Sequence, residues 1–414
     1  MSASGRRPAS GAGSDSGAGS GDTEAPPPAP DRRRMWPLYA AGFTTAFGAH
    51  GIAANLGAGD AGLARSVLYL GALLALYDAA EVVLKPVFGT LADKVGARPV
   101  LLGGLVAFAA ASAVYVVARD PGLLWAARLG QGAAASAFSP AASALLVRMN
   151  PVARHGRAFG SYGFWKSVGF TAGPLLGGVL VWAGGLTLLF AVMTALAVAV
   201  ALWAALAVPA VPPLPRTRQT LADLVRRLAD GAFVRPVLAL AAATAALSVG
   251  VGFLPLSGRA DGLSPVATGA AVSVLAACAA FVQPWAGRAL DAGRLTLRTG
   301  LSAGLAVTAG GMAVAVLPGV AGLLAAAVLT GAGTGLITPL GFAALAAATP
   351  DERIGQTMGT AEIGRELGDS GGPLFVAAIA TGTSLAWGFT ALALLTALLI
   401  PLALTTPRPD SAAD

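Results

Sequence analysis

The chain has 414 residues, 56% of them hydrophobic and only 11% charged, with a mean hydropathy of +0.72. An ordinary soluble domain carries about 25% charged residues, so a water-soluble globule is excluded. A single cysteine, Cys278, and two histidines, His50 and His155, exclude a disulfide framework and a multi-cysteine metal site; neither metal nor cofactor is expected. The formal charge of +7 fits either a nucleic-acid partner or membrane orientation, and the position of the charges decides between them.

Residues 1–34 are Gly, Ser, Ala and Pro with scattered charge. They hold no apolar run able to offset the entropy of ordering, so a disordered tail is expected. It does not read as a secretory signal, because the first apolar stretch comes late and has no small-residue cleavage site. Beyond it the apolar runs are about 20 residues long, the length of a spanning helix and twice that of a barrel strand. They predict twelve spans, near 36–56, 65–89, 98–118, 122–148, 157–182, 185–207, 234–256, 266–287, 296–316, 320–347, 356–381 and 385–406.

With the tail placed in the cytoplasm, 20 of the 27 Lys and Arg fall on the inner side, three (Arg65, Arg119, Arg259) on the outer side, and four within spans. That asymmetry is the positive-inside pattern. It places both termini in the cytoplasm and explains the basic charge without nucleic acid. The longest inner connection, 208–233, opens on VPAVPPLPRTRQ. It continues as TLADLVRRLADGAF, with Leu221, Leu224, Val225 and Leu228 on one face and Thr220 and Asp223 as a capping pair. This predicts an amphipathic surface helix dividing the spans six and six: a bundle at 35–207, a linker at 208–233, a second bundle at 234–407 and a tail at 408–414.

The two halves repeat. KPVFGTLAD at 85–93 recurs as QPWAGRALD at 283–291, an offset of 198. At an offset of 199, Gly132, Pro140, Pro151, Arg154, Gly156, Gly160, Gly169, Gly173 and Pro174 recur as Gly331, Pro339, Pro350, Arg353, Gly355, Gly359, Gly368, Gly372 and Pro373, and Lys166 falls on Arg365. Two homologous six-helix halves in one orientation imply a pseudo-two-fold along the membrane normal.

Three motifs carry a family resemblance over about residues 35–406. They are GTLADKVGARP (Gly89–Pro99), RLGQG (Arg128, Gln131, Gly132) and GFTAGPLLGG (Gly169, Gly173, Pro174, Gly177, Gly178). With them the chain resembles the major facilitator superfamily, and within it the twelve-helix drug:proton antiporters. The resemblance implies an all-α membrane protein, two pseudo-symmetric six-helix bundles around a central cavity. It also implies that Asp93, with Gly89 and Arg98 in its motif, latches onto helix eleven and onto an Arg at the inner end of helix four, for which Arg148 is the candidate. The helix-five glycines serve close packing, with Pro174 as a kink.

Two other strings mislead. GAGTG at 331–335 lies inside an apolar span and follows no strand. GDSGGP at 368–373 spells the nucleophile region of chymotrypsin-like proteases but lacks the His and Asp that such chemistry requires. No enzyme is expected.

Charges inside the spans form stripes. Asp78, Glu81 and Lys85 lie on helix two, and Glu362, Arg365, Glu366 and Asp369 on helix eleven; Arg128 and Lys166 add cations on helices four and five. Each unpaired charge at mid-membrane costs about 3 kcal/mol, so these groups must face a cavity or one another. Depth pairs Lys85 with Glu362 and Glu81 with Arg365 across the halves; the alternative pairs Glu81 with Lys85 within helix two. Asp78, Glu366 and Asp369 remain without an obvious partner, which makes Asp78 and Glu366 candidate proton carriers; His50 can titrate as well.

The expected function is proton-coupled efflux of a small organic molecule, a drug or secondary metabolite, by alternating access at the cell membrane, the protein acting as a monomer in the lipid bilayer. The alternative is a proton symporter importing a small anionic metabolite, to which Lys166, Arg128 and Arg365 would offer charge.

Overall fold

A computed structural model of the chain describes residues 32–55, 67–117, 121–213, 226 and 229–405. The predicted tail up to residue 31, most of the predicted surface helix near 220–229, and residues 408–414 lie outside the described residues.

Every regular element among the described residues is helical. In chain order these are α1 Arg32–Asn55, α2 Val67–Val95, α3 Ala97–Val117, α4 Pro121–Ala135, α5 Phe138–Arg148, α6 His155–Ala207, α7 Gly231–Ala260, α8 Pro265–Asp291, α9 Leu297–Val314, α10 Gly319–Ala347, α11 Ile354–Gly382, α12 Leu385–Leu398 and α13 Ile400–Leu404. The twelve spans read from the sequence map onto these elements with three local differences, the simplest being the division of the twelfth span into α12 and α13 at Leu399. The fourth span is broken into α4 and α5, because Pro140 offers no N–H to the carbonyl of Ser136 and its ring crowds that carbonyl. The fifth and sixth spans run together as the 53-residue α6, interrupted at Gly184 and Gly185. Gly185 takes φ +67, a conformation open to a residue without Cβ.

Six described helices satisfy length and apolarity for a membrane crossing. The charged stripes sit on α2 and α11, and burial between the halves shelters Lys85 and Glu362.

One face of the molecule carries the helix ends and connections rich in Lys and Arg, including Lys94, Arg154, Arg157, Arg235, Arg294 and Arg353; it is called the basic face below. Toward this face a single apolar core crosses both halves, joining Leu101, Phe138 and Leu145 to Leu240, Leu340 and Ile354. Toward the opposite face the core splits in two. One cluster, around Phe47, Tyr115, Phe190 and Met193, belongs to the first half; the other, around Val249, Leu275, Leu323 and Phe389, belongs to the second. The halves are therefore sealed together at the basic face and separate above it.

Candidate functional site

The seal is built from two related contacts. At Gly89 of α2 and Gly355 of α11 the backbones approach so closely that a Cβ on either would strike the other's carbonyl. The pair Gly287 of α8 and Gly156 of α6 meets in the same way. The repeat maps one pair onto the other, so the pseudo-two-fold read from the sequence is realised as two crossings of helices from opposite halves. Small residues permit that approach.

Each crossing ends in a carboxylate. Asp93 accepts the backbone N–H groups of Gly355 and Gln356 at 2.7 and 2.8 Å. It thereby caps the positive N-terminus of α11. Asp291 accepts the N–H of Arg157 at 2.8 Å, capping α6. Burial raises the Asp291 carboxyl above the ordinary aspartate range, opposed in part by its bonds to the N–H groups of Arg157 and Gly156. Of the other residues assigned to this motif, Arg148 donates to the carbonyl of Pro212 at 2.7 Å and Arg98 to that of Ala205 at 2.6 Å. The first ties the first half to the start of the linker, and the second holds α3 against the end of α6.

Above the seal lies a cavity of about 360 Å³ between the halves. Its floor toward the basic face carries Phe159 of α6 and Phe342 of α10, stacked across the halves at 5.5 Å between ring centres and 18° between planes. The next layer is charged. Lys85, only 1% exposed, is met by Glu81 at 2.9 Å, by Glu362 at 3.5 Å and by Glu366. Arg365 Nη1 lies 3.1 Å from Glu362. Lys166 donates to Ser139 at 3.0 Å and stands 3.8 Å from Glu362.

This arrangement corrects the sequence reading in two respects. The Lys85–Glu362 contact across the halves is present, but Glu81 meets Lys85 within α2 and Arg365 meets Glu362 within α11, so the second rung between Glu81 and Arg365 gives way to intrahelical pairs. Glu366 is paired, with Lys85. Lys85 sits close enough to the centre to collect all three carboxylates, whereas a flat ladder shares them out. Three acids and three bases in this layer cancel.

The upper part of the cavity is different. Asp78 and Asp369 line it and are solvent-exposed, and among the described residues no ion pair is recorded for either. His50 bonds the carbonyl of Ala46 at 2.9 Å and lies against Phe170, with ring centres 4.0 Å apart. Arg128, 1% exposed, lies 4.2 Å over the ring of Tyr77. Its neighbour Gln131 bonds Ser112 at 2.8 Å, and Gly132 sits against the backbone of Tyr77. The Arg128 motif thus holds the fourth span on α2 and α3.

Gly169, Gly173 and Gly177 of α6 all face the backbone of α1, around Phe43, Phe47 and Gly51. Gly178 lies beside Asn55, whose Nδ2 donates to the Pro174 carbonyl at 3.2 Å. Sequence reasoning missed Ser139, Tyr162, Ser167 and Gln283, which also line or tie the cavity. For Gln283 a signal existed: it occupies the repeat position of Lys85.

Two six-helix halves around a polar cavity, sealed at one face, define a membrane transporter. The Major Facilitator Superfamily model matches residues 38–292 and 238–414, and the chain belongs to that family. It is a multi-pass membrane protein, and the family and its relatives are transporters rather than enzymes. The tetracycline resistance protein, class G, of Vibrio anguillarum is 36% identical over 115 residues, 27% of this chain and 28% of that one. Such matches span only 22% to 29% of the relatives' own length. Among solved structures, the human organic anion transporter MFSD10 (TETRAN) superposes with a TM-score of 0.77 at 18% identity, covering 91% of this chain and 100% of that one. The E. coli fucose:proton symporter FucP gives 0.75 at 14%, covering 90% and 98%. At these identities the structures speak to the fold.

Proposed function

We propose that this protein exports small organic cations from the cytoplasm in exchange for protons, by rocking of the bundles 35–207 and 234–407 about the central cavity. The observation that carries the reading is the distribution of charge in that cavity. The lower layer is neutral, with its bases committed to Glu81, Glu362 and Glu366. Above it Asp78 and Asp369 face the open volume, one from each half, beside the aromatic ring of Phe170. An organic cation finds there two carboxylates and an apolar wall; protons compete with it for the same oxygens, which is the elementary requirement for exchange. A symporter for an anionic metabolite would need an uncommitted base. Lys85 and Arg365 are held by carboxylates, Arg128 is buried against Tyr77, and Lys166 stands 3.8 Å from Glu362. The basic face is the cytoplasmic one by charge placement, so the sealed state is open outward, in the cell membrane. The tetracycline resistance relative, by its name, is consistent with export.

The test uses the purified full chain in liposomes with an acidic lumen and a pH-reporting dye inside. Adding tetraphenylphosphonium outside should drive its accumulation while the lumen alkalinises, and salicylate should do neither. Lumen acidification on adding salicylate, with no response to the cation, would establish symport of anions instead.

A further inference from the structure

The repeat that relates the halves is broken at one chemically decisive place. Lys85 in the first half corresponds to Gln283 in the second, and the residues of α11 that surround Lys85 have neutral equivalents in α6. Glu362 corresponds to Gly163 and Glu366 to Ser167. The structure keeps the geometry and changes the chemistry. Across α2 and α11, Lys85 meets Glu366 and Glu362. Across α8 and α6, Gln283 Nε2 donates to Ser167 Oγ at 2.8 Å, and its Oε1 lies against Gly163, where a Cβ would collide with it. The neighbouring backbones behave identically, with Gly359 against the Lys85 carbonyl and Gly160 against that of Gln283. The two crossings are thus one design executed once with ions and once without.

We propose that the Gln283 contact forms a passive part of the seal, and that the Lys85 contact sets the pH midpoint at which the seal opens. This rests on the proton-coupled reading above. A further observation supports it. Gln283 is 3% exposed, yet its Oε1 has no hydrogen-bond partner. A buried acceptor left unsatisfied in the closed state recovers a partner from water when the halves part, so this crossing opposes opening only weakly. The other crossing must separate a lysine from carboxylates that stay charged unless protonated, which is costly in a dry setting.

The surroundings are consistent. The recorded partners of Gln283 are Ser167 and the carbonyl of Ala279, both uncharged. Lys166, next to Ser167, is bonded to Ser139 and faces Glu362. Lys85 by contrast is faced by Glu81 on its own helix, by Glu362 and Glu366 from α11, and at longer range by Arg365 and Lys166. Asp78, His50, Asp369 and Arg128 border the same cavity above it.

The experiment measures opening at the basic face. Spin labels at Val152 and Asp351, which lie on connections of opposite halves, are placed in a Cys278→Ser background of the full chain in lipid nanodiscs. The open fraction is read as a distance distribution from pH 5 to 9. The wild-type background should open progressively toward low pH with a defined midpoint. Gln283→Ala should change the open-to-closed ratio by less than threefold at every pH and leave the midpoint in place. Lys85→Gln with Glu366→Ser, which copies the passive chemistry onto the ionic crossing, should still open but lose the midpoint. A midpoint displaced by more than half a pH unit in Gln283→Ala overturns the inference, as does a wild-type midpoint in the Lys85/Glu366 double variant. Gln283→Asn, which keeps the amide, serves if Gln283→Ala fails to fold, and is judged by the same criterion. A background protein whose opening is flat with pH refutes the proton-coupled reading itself, and this inference with it.

Discussion

Replacing Asp93 by Asn should unseat the basic-face seal while leaving its shape intact. The Asp93 carboxylate takes one N–H on each oxygen, from Gly355 at 2.7 Å and from Gln356 at 2.8 Å. A hydrogen bond to a charged group contributes about 1.5–3 kcal/mol, and the charge at a helix N-terminus adds about 0.3–1 kcal/mol. Asparagine keeps one acceptor oxygen and turns an NH₂ toward the second N–H, so one bond and the charge are lost. Net of the weaker bond retained, the closed state should lose about 2 kcal/mol, or about 30-fold in the closed-to-open ratio at 1.4 kcal/mol per tenfold. The Val152–Asp351 label distance at pH 7 reads this directly as growth of the long-distance population. A change below threefold would refute the reasoning, because it would mean that the glycine contacts hold the seal and the carboxylate is incidental.

Three other substitutions follow from the same geometry. Asp291→Asn should act more weakly than Asp93→Asn, changing the ratio at pH 7 by less than fivefold. Burial already disfavours the Asp291 charge, so the closed state binds that proton more tightly than an exposed aspartate would. This linkage favours closure below the ordinary aspartate range and weakens as pH rises through the raised value, opposite in sign to the Lys85 response, so the amide should make the acid-side opening steeper in the same label distances. Lys85→Ala leaves Glu81, Glu362 and Glu366 without their shared cation and should lower stability by about 3–5 kcal/mol, seen as a large drop in thermal midpoint in detergent. The double reversal Glu81→Lys with Arg365→Glu should fail to restore transport of tetraphenylphosphonium lost in the single variants, because each residue pairs within its own helix; full restoration would place them in contact during the cycle.

The fold was legible because membrane spanning imposes a coarse code: run length gives the helices, and the near-constant repeat offset gives the two halves. The breaks at Ser136–Ala137 and Gly184–Gly185 were less so, since they rest on one proline and on two glycines in a sequence that holds 55 glycines. At the site, residue types and helical spacing identified which charges must be sheltered, and Asp93 could be placed through the family motif. The partners were harder. A lysine has a long reach, and whether Lys85 serves one carboxylate or three depends on the rotation of two helices about their axes, which spacing along either helix does not encode. Gln283 escaped because a neutral residue attracts no notice in a search for charge; only its alignment with Lys85 marks it.

The stacked rings of Phe159 and Phe342 carry a consequence for fidelity. They lie between the charged layer and the basic face, and they meet across the halves at 5.5 Å. An apolar constriction excludes water, and without a continuous thread of water a proton released in the charged layer has no conductor toward the cytoplasm. Under the proposed exchange the pair is insulation: a proton crosses only when the halves themselves move, so that each crossing is tied to a turn of the transport cycle.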